Sequence, residues 1–160
     1  MEPQQQPRGM SRRDQIGQLS AESLDRFFKE TEPLYRMLNI KLLKISPGRA
    51  EVSAEVPKDF FRMGGVVQGG ALAAIMDYTG GLTGLTVNEG ADQVTQELKI
   101  NYLRPASKLP LTCKGEVLKS GKRAIVIRMD LFDADGMLCD TGLGTWYVLD
   151  QTIGPSRSSA

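Results

Sequence analysis

Asp77 closes the apolar run Ala71-Leu72-Ala73-Ala74-Ile75-Met76 and stands eight residues past Gly69, the first of the pair Gly69-Gly70. Read as one helix, the stretch offers two pieces of chemistry. Glycines at a helix start let a ligand come close to backbone N–H groups that have no acceptor inside the helix. Those donors, with the positive end of the macrodipole, suit a carbonyl turning into an oxyanion. The second piece is the carboxylate, which is costly on an apolar helix face unless it is paired or used. Local pairing is scarce, since no lysine or arginine occurs between Arg62 and Lys99. Asp77 is the candidate catalytic residue, with capping or pairing to a distant cation as the structural alternative.

The chain has no histidine. Ser-His-Asp triads, Cys-His pairs, histidine-based metal sites and histidine general bases are therefore impossible. Base or nucleophile work near neutral pH falls to a carboxylate, a lysine, a tyrosine or a cysteine. Cys113 and Cys139 each stand alone in alternating stretches, which suits small core residues in a reducing compartment; a disulfide between them is the other reading. No metal or redox cofactor is implied.

Length and charge narrow the class further. The 160 residues suit one domain with a single core, and a net charge of +1 gives no general pull toward nucleic acid. No stretch of about 18 apolar residues could span a membrane. Residues 1–18 are polar, with no apolar core after Arg12-Arg13, and are expected as a disordered tail rather than a signal peptide. Residues 151–160 are expected as a flexible tail. The folded domain then runs over 19–150, and the expected location is the cytoplasm.

The elements that must position Asp77 follow from periodicity and breakers. Ser20 can cap a helix from about Ala21 to Thr31, and Pro33 ends it or begins a further turn. Residues 40–45 and 50–56 read as a hairpin around Ser46-Pro47-Gly48-Arg49. After the glycine-rich segment and the Asp77 helix come four strand-like runs over 94–103, 111–118, 124–132 and 137–149, with turns at Lys119 to Lys122 and Ala134 to Gly136. One long helix, apolar on most sides, inserted between a hairpin and an antiparallel meander is an α+β layout whose sheet must curl around the helix.

This order resembles the hotdog fold. Val67-Gln68-Gly69-Gly70-Ala71-Leu72, then Asp77, then Ile100-Asn101-Tyr102-Leu103-Arg104-Pro105-Ala106 resemble the PaaI-type branch of the hotdog acyl-CoA thioesterases over about residues 25 to 150. The resemblance implies that the first glycine N–H, on Gly69, polarises the thioester carbonyl and that Asp77 attacks it or activates water. It also implies that Thr95 holds the lytic water, where the plain alternative is an ordinary strand threonine. Two positions depart from the pattern. The family histidine is Gln68, which can donate a hydrogen bond or cap the helix but cannot titrate; a common family asparagine falls at Arg62, which could reach a phosphate or the acyl carbonyl or simply be solvated.

Helix geometry adds a statement about assembly. At 1.5 Å per residue the N–H of Gly69 lies about 12 Å along the axis from Asp77, whereas both must meet one carbon within about 3 to 3.5 Å. One helix cannot serve one substrate with both groups. Two antiparallel helices across a two-fold axis can, as in the resembling family, so the expected catalytic unit is a homodimer, with a dimer of dimers as the larger assembly.

The substrate implied is an acyl-CoA, coenzyme A entering only as part of it. Its phosphates would suit the turn Lys119-Ser120-Gly121-Lys122-Arg123, or Arg104 at a strand end; a solvated hairpin is the plain reading of that turn. Gly69 and Gly70 would lie against the thioester. The expected function is acyl-CoA hydrolysis, and a non-catalytic acyl-CoA-binding or ligand-sensing hotdog protein is the alternative that Gln68 favours. A hydratase would need the absent histidine. The acyl group is left open among Phe60, Phe61, Met63, Met76, Tyr78 and Leu82.

Overall fold

The computed structural model describes residues 10–154. Three short helices lead. The Ser11 hydroxyl accepts from the Asp14 N–H to start α1, Arg12–Ile16, so the stretch expected as a tail is helical there, while residues 1–9 lie outside the described residues. The cause is tertiary: the N–H groups of Arg12 and Arg13 donate to the carbonyls of Gly90 and Asn88 at 3.0 and 2.9 Å. In α2, Ala21–Thr31, the Ser20 hydroxyl accepts from the Ser23 N–H at 3.1 Å. Pro33 then opens α3, Pro33–Met37, at the position where its missing N–H is harmless.

The expected opening hairpin is β1, Ile40–Ser46, with β2, Arg49–Ala54, turned by Gly48 at φ 78°. Asp25 of α2 fastens the helices to it. Its buried carboxylate accepts from the Tyr35 hydroxyl at 2.8 Å, the Leu42 N–H at 2.8 Å and Lys29 Nζ at 2.6 Å. A single 3₁₀ turn, Lys58–Phe60, follows. Two strands of two residues, β3 Phe61–Arg62 and β4 Val66–Val67, then lead into the long helix α4, Gly69–Leu85. Sequence periodicity could not show strands this short.

The remaining strands are β5 Asp92–Tyr102, β6 Leu111–Ser120, β7 Ala124–Phe132 and β8 Leu138–Leu149. All pairings are antiparallel in one six-stranded sheet of order β1-β2-β6-β7-β8-β5. Only β6 to β8 form the expected meander. Strand β5 crosses to the far edge and pairs with β8, while β2 pairs with β6. This placement lets strands flank α4 on both sides, and the helix packs against β2, β5, β6, β7 and β8. The result is the hotdog arrangement.

Small residues bring the helix down onto the sheet. A Cβ on Gly80 would fall 2.0 Å from the Trp146 ring, and one on Gly115 would fall 2.1 Å from Thr83 Oγ1. Trp146 is among the largest fully buried side chains. The α4-facing side of β8 is the series Asp140, Gly142, Gly144, Trp146, Val148, all buried. Both described ends of the chain converge on Asp92: its carboxylate lies 3.6 Å from the Arg12 guanidinium and accepts from the Ile153 N–H at 2.9 Å.

Candidate active site

Asp77 emerges on the side of α4 that faces β5, partly buried in the single chain rather than enclosed. Its Oδ1 accepts from Thr95 Oγ1 at 2.8 Å, and no cation pairs with it among the described residues. The structural alternative, a carboxylate held by a distant lysine or arginine, is thereby removed. Thr95 is exposed on β5, opposite Trp146, and the strand register slips between Thr95 and Glu97. The extra residue, Gln96, makes a bulge of the kind that re-aims a neighbouring side chain. The sequence suggested Thr95; the bulge carries no sequence signal. Strand β5 is bonded only to β8, so its other edge, beside Asp77 and Thr95, is open.

The second candidate group lies at the start of α4. Gln68 is the N-cap and its carbonyl accepts from the N–H groups of Ala71 and Leu72 at 3.0 and 3.2 Å. Its side chain makes no capping bond, so the capping reading of Gln68 fails and its amide is exposed. Neither the Gly69 nor the Gly70 N–H finds a backbone acceptor among the described residues. These are the orphan donors expected of a helix start. A Cβ on Gly70 would meet nothing within 4 Å, and the residue is exposed.

Tyr102, quoted in the sequence motif but not singled out there, lies against the start of α4. Its hydroxyl donates to the Gly69 carbonyl at 2.9 Å, and its ring would lie 3.4 Å from a Cβ on Gly69. Partial burial, with the charge of Asp140 adding to it, raises its phenol above the usual range, so it stays a donor. The eight-residue spacing along one continuous helix keeps Gly69 and Asp77 about 12 Å apart within a chain.

Comparison with known proteins decides the family. The thioesterase superfamily model matches residues 64–140, the segment from the turn before α4 through β8's start. A Saccharolobus solfataricus protein with a provisional esterase name is 42% identical over 127 residues, covering 79% of this chain and 91% of that protein. The chain belongs to the thioesterase superfamily. Among solved structures, a Haemophilus influenzae thioesterase superposes with TM-score 0.76 at 22% identity, over 86% of this chain and 95% of its own. The E. coli PaaI protein of the phenylacetic acid degradation operon gives 0.71 at 21%, over 81% and 93%. These two likenesses carry the fold, and the fold is the one the resemblance implied.

The other candidates are dispersed in this superfamily member. Arg62 is exposed on β3, one residue before a turn whose Gly64 and Gly65 adopt φ of 100° and 74°. Arg104 is exposed, its N–H donating to the Cys139 carbonyl at 3.0 Å. In the basic turn, Lys119 and Lys122 are exposed, whereas Arg123 pairs with Asp150 at 2.8 Å. Gly121 and Lys122 line a groove of about 890 Å³ with Arg13, Glu89 and Thr86. That groove lies at the C-terminal end of α4, about 25 Å along the axis from Gly69. Of the six acyl-pocket candidates, Met76 and Leu82 are core, Met63 is fully out in solvent, and the Tyr78 hydroxyl donates to Glu32 at 3.3 Å. A single chain does not assemble them into a pocket.

Both cysteines are free and buried, as small core residues. Burial pushes the Cys113 thiol up to about 12, which makes it a poor nucleophile. Among the described residues no helix is long and apolar enough to cross a membrane, and no cluster of three metal-ligating side chains occurs.

Proposed function

We propose that this chain hydrolyses acyl-CoA thioesters in a homodimer whose two sites each combine Asp77 and Thr95 of one subunit with the Gly69 N–H of the other. The observation that carries the reading is the Thr95–Asp77 hydrogen bond of 2.8 Å beside an open strand edge, with no cation on the carboxylate. Membership of the thioesterase superfamily supports the reaction class. The 12 Å between Gly69 and Asp77 supports the division between subunits.

As general base, Asp77 takes a proton from a water held by Thr95 while the water oxygen bonds to the thioester carbon. The carbonyl oxygen becomes an oxyanion on the partner's Gly69 N–H, where the positive end of α4 opposes its charge. Collapse breaks the C–S bond; the sulfur leaves with the electron pair and takes the proton from Asp77, giving free acid and coenzyme A. As nucleophile, Asp77 would attack the thioester carbon and expel the thiolate with the C–S electron pair, leaving a mixed anhydride; water would then cleave the anhydride to free acid and the Asp77 carboxylate, the water's second proton going to the thiolate. Gln68 and Gly70 line the approach to the carbonyl. Gly121 and Lys122 at the groove, with Lys119, Arg123, Arg62 and Arg104, are the candidate phosphate contacts, and no cofactor beyond the substrate's own coenzyme A is needed.

Asp77→Asn conserves shape and removes the charge. With an acyl-CoA chosen from a screen of aryl, short-chain and long-chain esters, the folded variant should lose roughly 10²-fold to 10⁴-fold in kcat. Near-normal turnover by that variant would overturn the assignment of Asp77, whereas no turnover of any acyl-CoA by the wild type would leave the binding or sensing reading that Gln68 favours.

A further inference from the structure

Asp140 has no counterpart in the chemistry above. It is fully buried, and neither carboxylate oxygen has a hydrogen-bond partner among the described residues. Asp25 shows what a buried carboxylate kept for the fold looks like, with three donors on two oxygens. Asp140 has volume that a leucine would fill and a polarity that nothing answers. Such a group is rare enough in a folded protein to require an explanation.

Its position supplies one. Asp140 stands on the α4-facing side of β8, in register with Tyr102 of β5 on one flank and Leu131 of β7 on the other. Leu131 is in register with Cys113 of β6. Cys113, Leu131, Asp140 and Tyr102 therefore form one row across four strands at about 4.8 Å per step. A Cβ on Gly142 would lie 3.1 Å from Met76 Cε, and Asp140, one pleat further, lies under the part of α4 that precedes Met76. Its neighbour Tyr102 holds the Gly69 carbonyl. The buried carboxyl thus sits beneath the helix start at which the Gly69 N–H is free.

We propose that Asp140 is a positioning residue for the thioester-binding end of α4, acting through Tyr102 and Gly69. The proposal rests on the reading of Gly69 as the oxyanion donor. A neutral carboxyl leaves the Tyr102 hydroxyl donating fully to the Gly69 carbonyl and leaves the positive helix end unopposed. An ionised one sets a negative charge against the same end at which the thioester oxygen gains its own. Protonation of Asp140 therefore strengthens the site and ionisation weakens it. Burial raises this carboxyl to about 6, which puts the change within the working range. The titratable groups around it are Tyr102 from β5, Cys113 from β6 and its chain neighbour Cys139; each is shifted further upward by the Asp140 charge. Leu131 from β7 contributes no charge.

The test uses Asp140→Asn, an isosteric neutral side chain, with Asp140→Leu as a second variant in case the amide does not fold. Two quantities are followed from pH 5 to 8: kcat with the chosen acyl-CoA, and the amide chemical shifts of Gly69 and Gly70. The wild type should show a fall in kcat and a titration of both amides with a shared midpoint. In the variants both should be absent, and kcat above the midpoint should exceed wild type by roughly tenfold, less than the 10²–10³ of deleting an oxyanion donor outright. Amides that do not titrate in the wild type, or that titrate unchanged in a folded variant, overturn the proposal. So does a loss in Asp140→Asn as deep as that of Asp77→Asn, which would make Asp140 a reacting group. If no thioester is hydrolysed, the amide titration still decides whether Asp140 acts on the helix start, while the oxyanion role of Gly69 falls separately.

Discussion

Three aspartates in one chain occupy three different environments, and the differences are physical rather than chemical. Among the described residues Asp25 is buried with three donors, Asp77 is half-buried with one hydroxyl, and Asp140 is buried with none. Only for Asp140 does desolvation stand unopposed, raising the carboxyl from 3.8 to about 6. An acid whose folded pKa is raised stabilises the fold fully below the unfolded value and loses that contribution as pH rises through the folded one. The penalty should thus develop between 3.8 and about 6, on the order of 3 kcal/mol at completion. Chemical denaturation should find Asp140→Asn close to wild type near pH 4 and more stable above pH 6; equal stabilities at pH 7 would contradict it. The sequence announced Asp77, because an apolar run with one carboxylate is visible as a pattern. Asp140 lies in a strand where polar and apolar residues alternate anyway, and its lack of donors depends on which strands flank it. Tyr102 was visible as a letter in a motif and became a participant only when β5 was laid over the start of α4.

At the scale of elements, the helix and most strands were legible from period and breakers. Ser20 and Pro33 bounded α2, Gly48 turned the first hairpin, and the β7 limits were as expected. Strand order was not legible, since nothing local in β5 says that it will pair with β8 rather than β6. What joins helix to sheet is a set of glycines whose role is also non-local. Gly80 and Gly81 are neighbours in α4, yet a Cβ would meet the Trp146 ring at 2.0 Å from the first and at 3.7 Å from the second. Gly80→Ala must push the helix or the indole aside and should destabilise by about 1–3 kcal/mol or more. Gly81→Ala meets ordinary contact and should stabilise by roughly 0.5–1 kcal/mol through helix propensity. Thermal melts of the two variants should move in opposite directions, and a common direction would show that the indole does not hold the helix as described.

For the whole molecule, the open edge of β5 and the 12 Å between Gly69 and Asp77 bear on one question, whether a site lies within a chain or between chains. Mixing Asp77→Ala subunits with Gly69→Pro subunits tests it. Proline at the first position of a helix is tolerated and removes only the N–H in question. A heterodimer should regain one working site that neither parent homodimer has. Verified heterodimers without recovered activity, both variants being folded, would return the site to a single chain.

The convergence of both described chain ends on Asp92 reaches beyond catalysis. Arg12 and Ile153 are held by the same carboxylate, just past the C-terminal end of α4, so the described segment begins and ends at one place, a helix length of about 25 Å from Gly69. A short peptide joining residue 10 to residue 154 for circular permutation would lie there, far from the Gly69 end of α4. A load applied between residues 10 and 154 would bear on the edge strand β5 through the Arg12 and Ile153 contacts to Asp92.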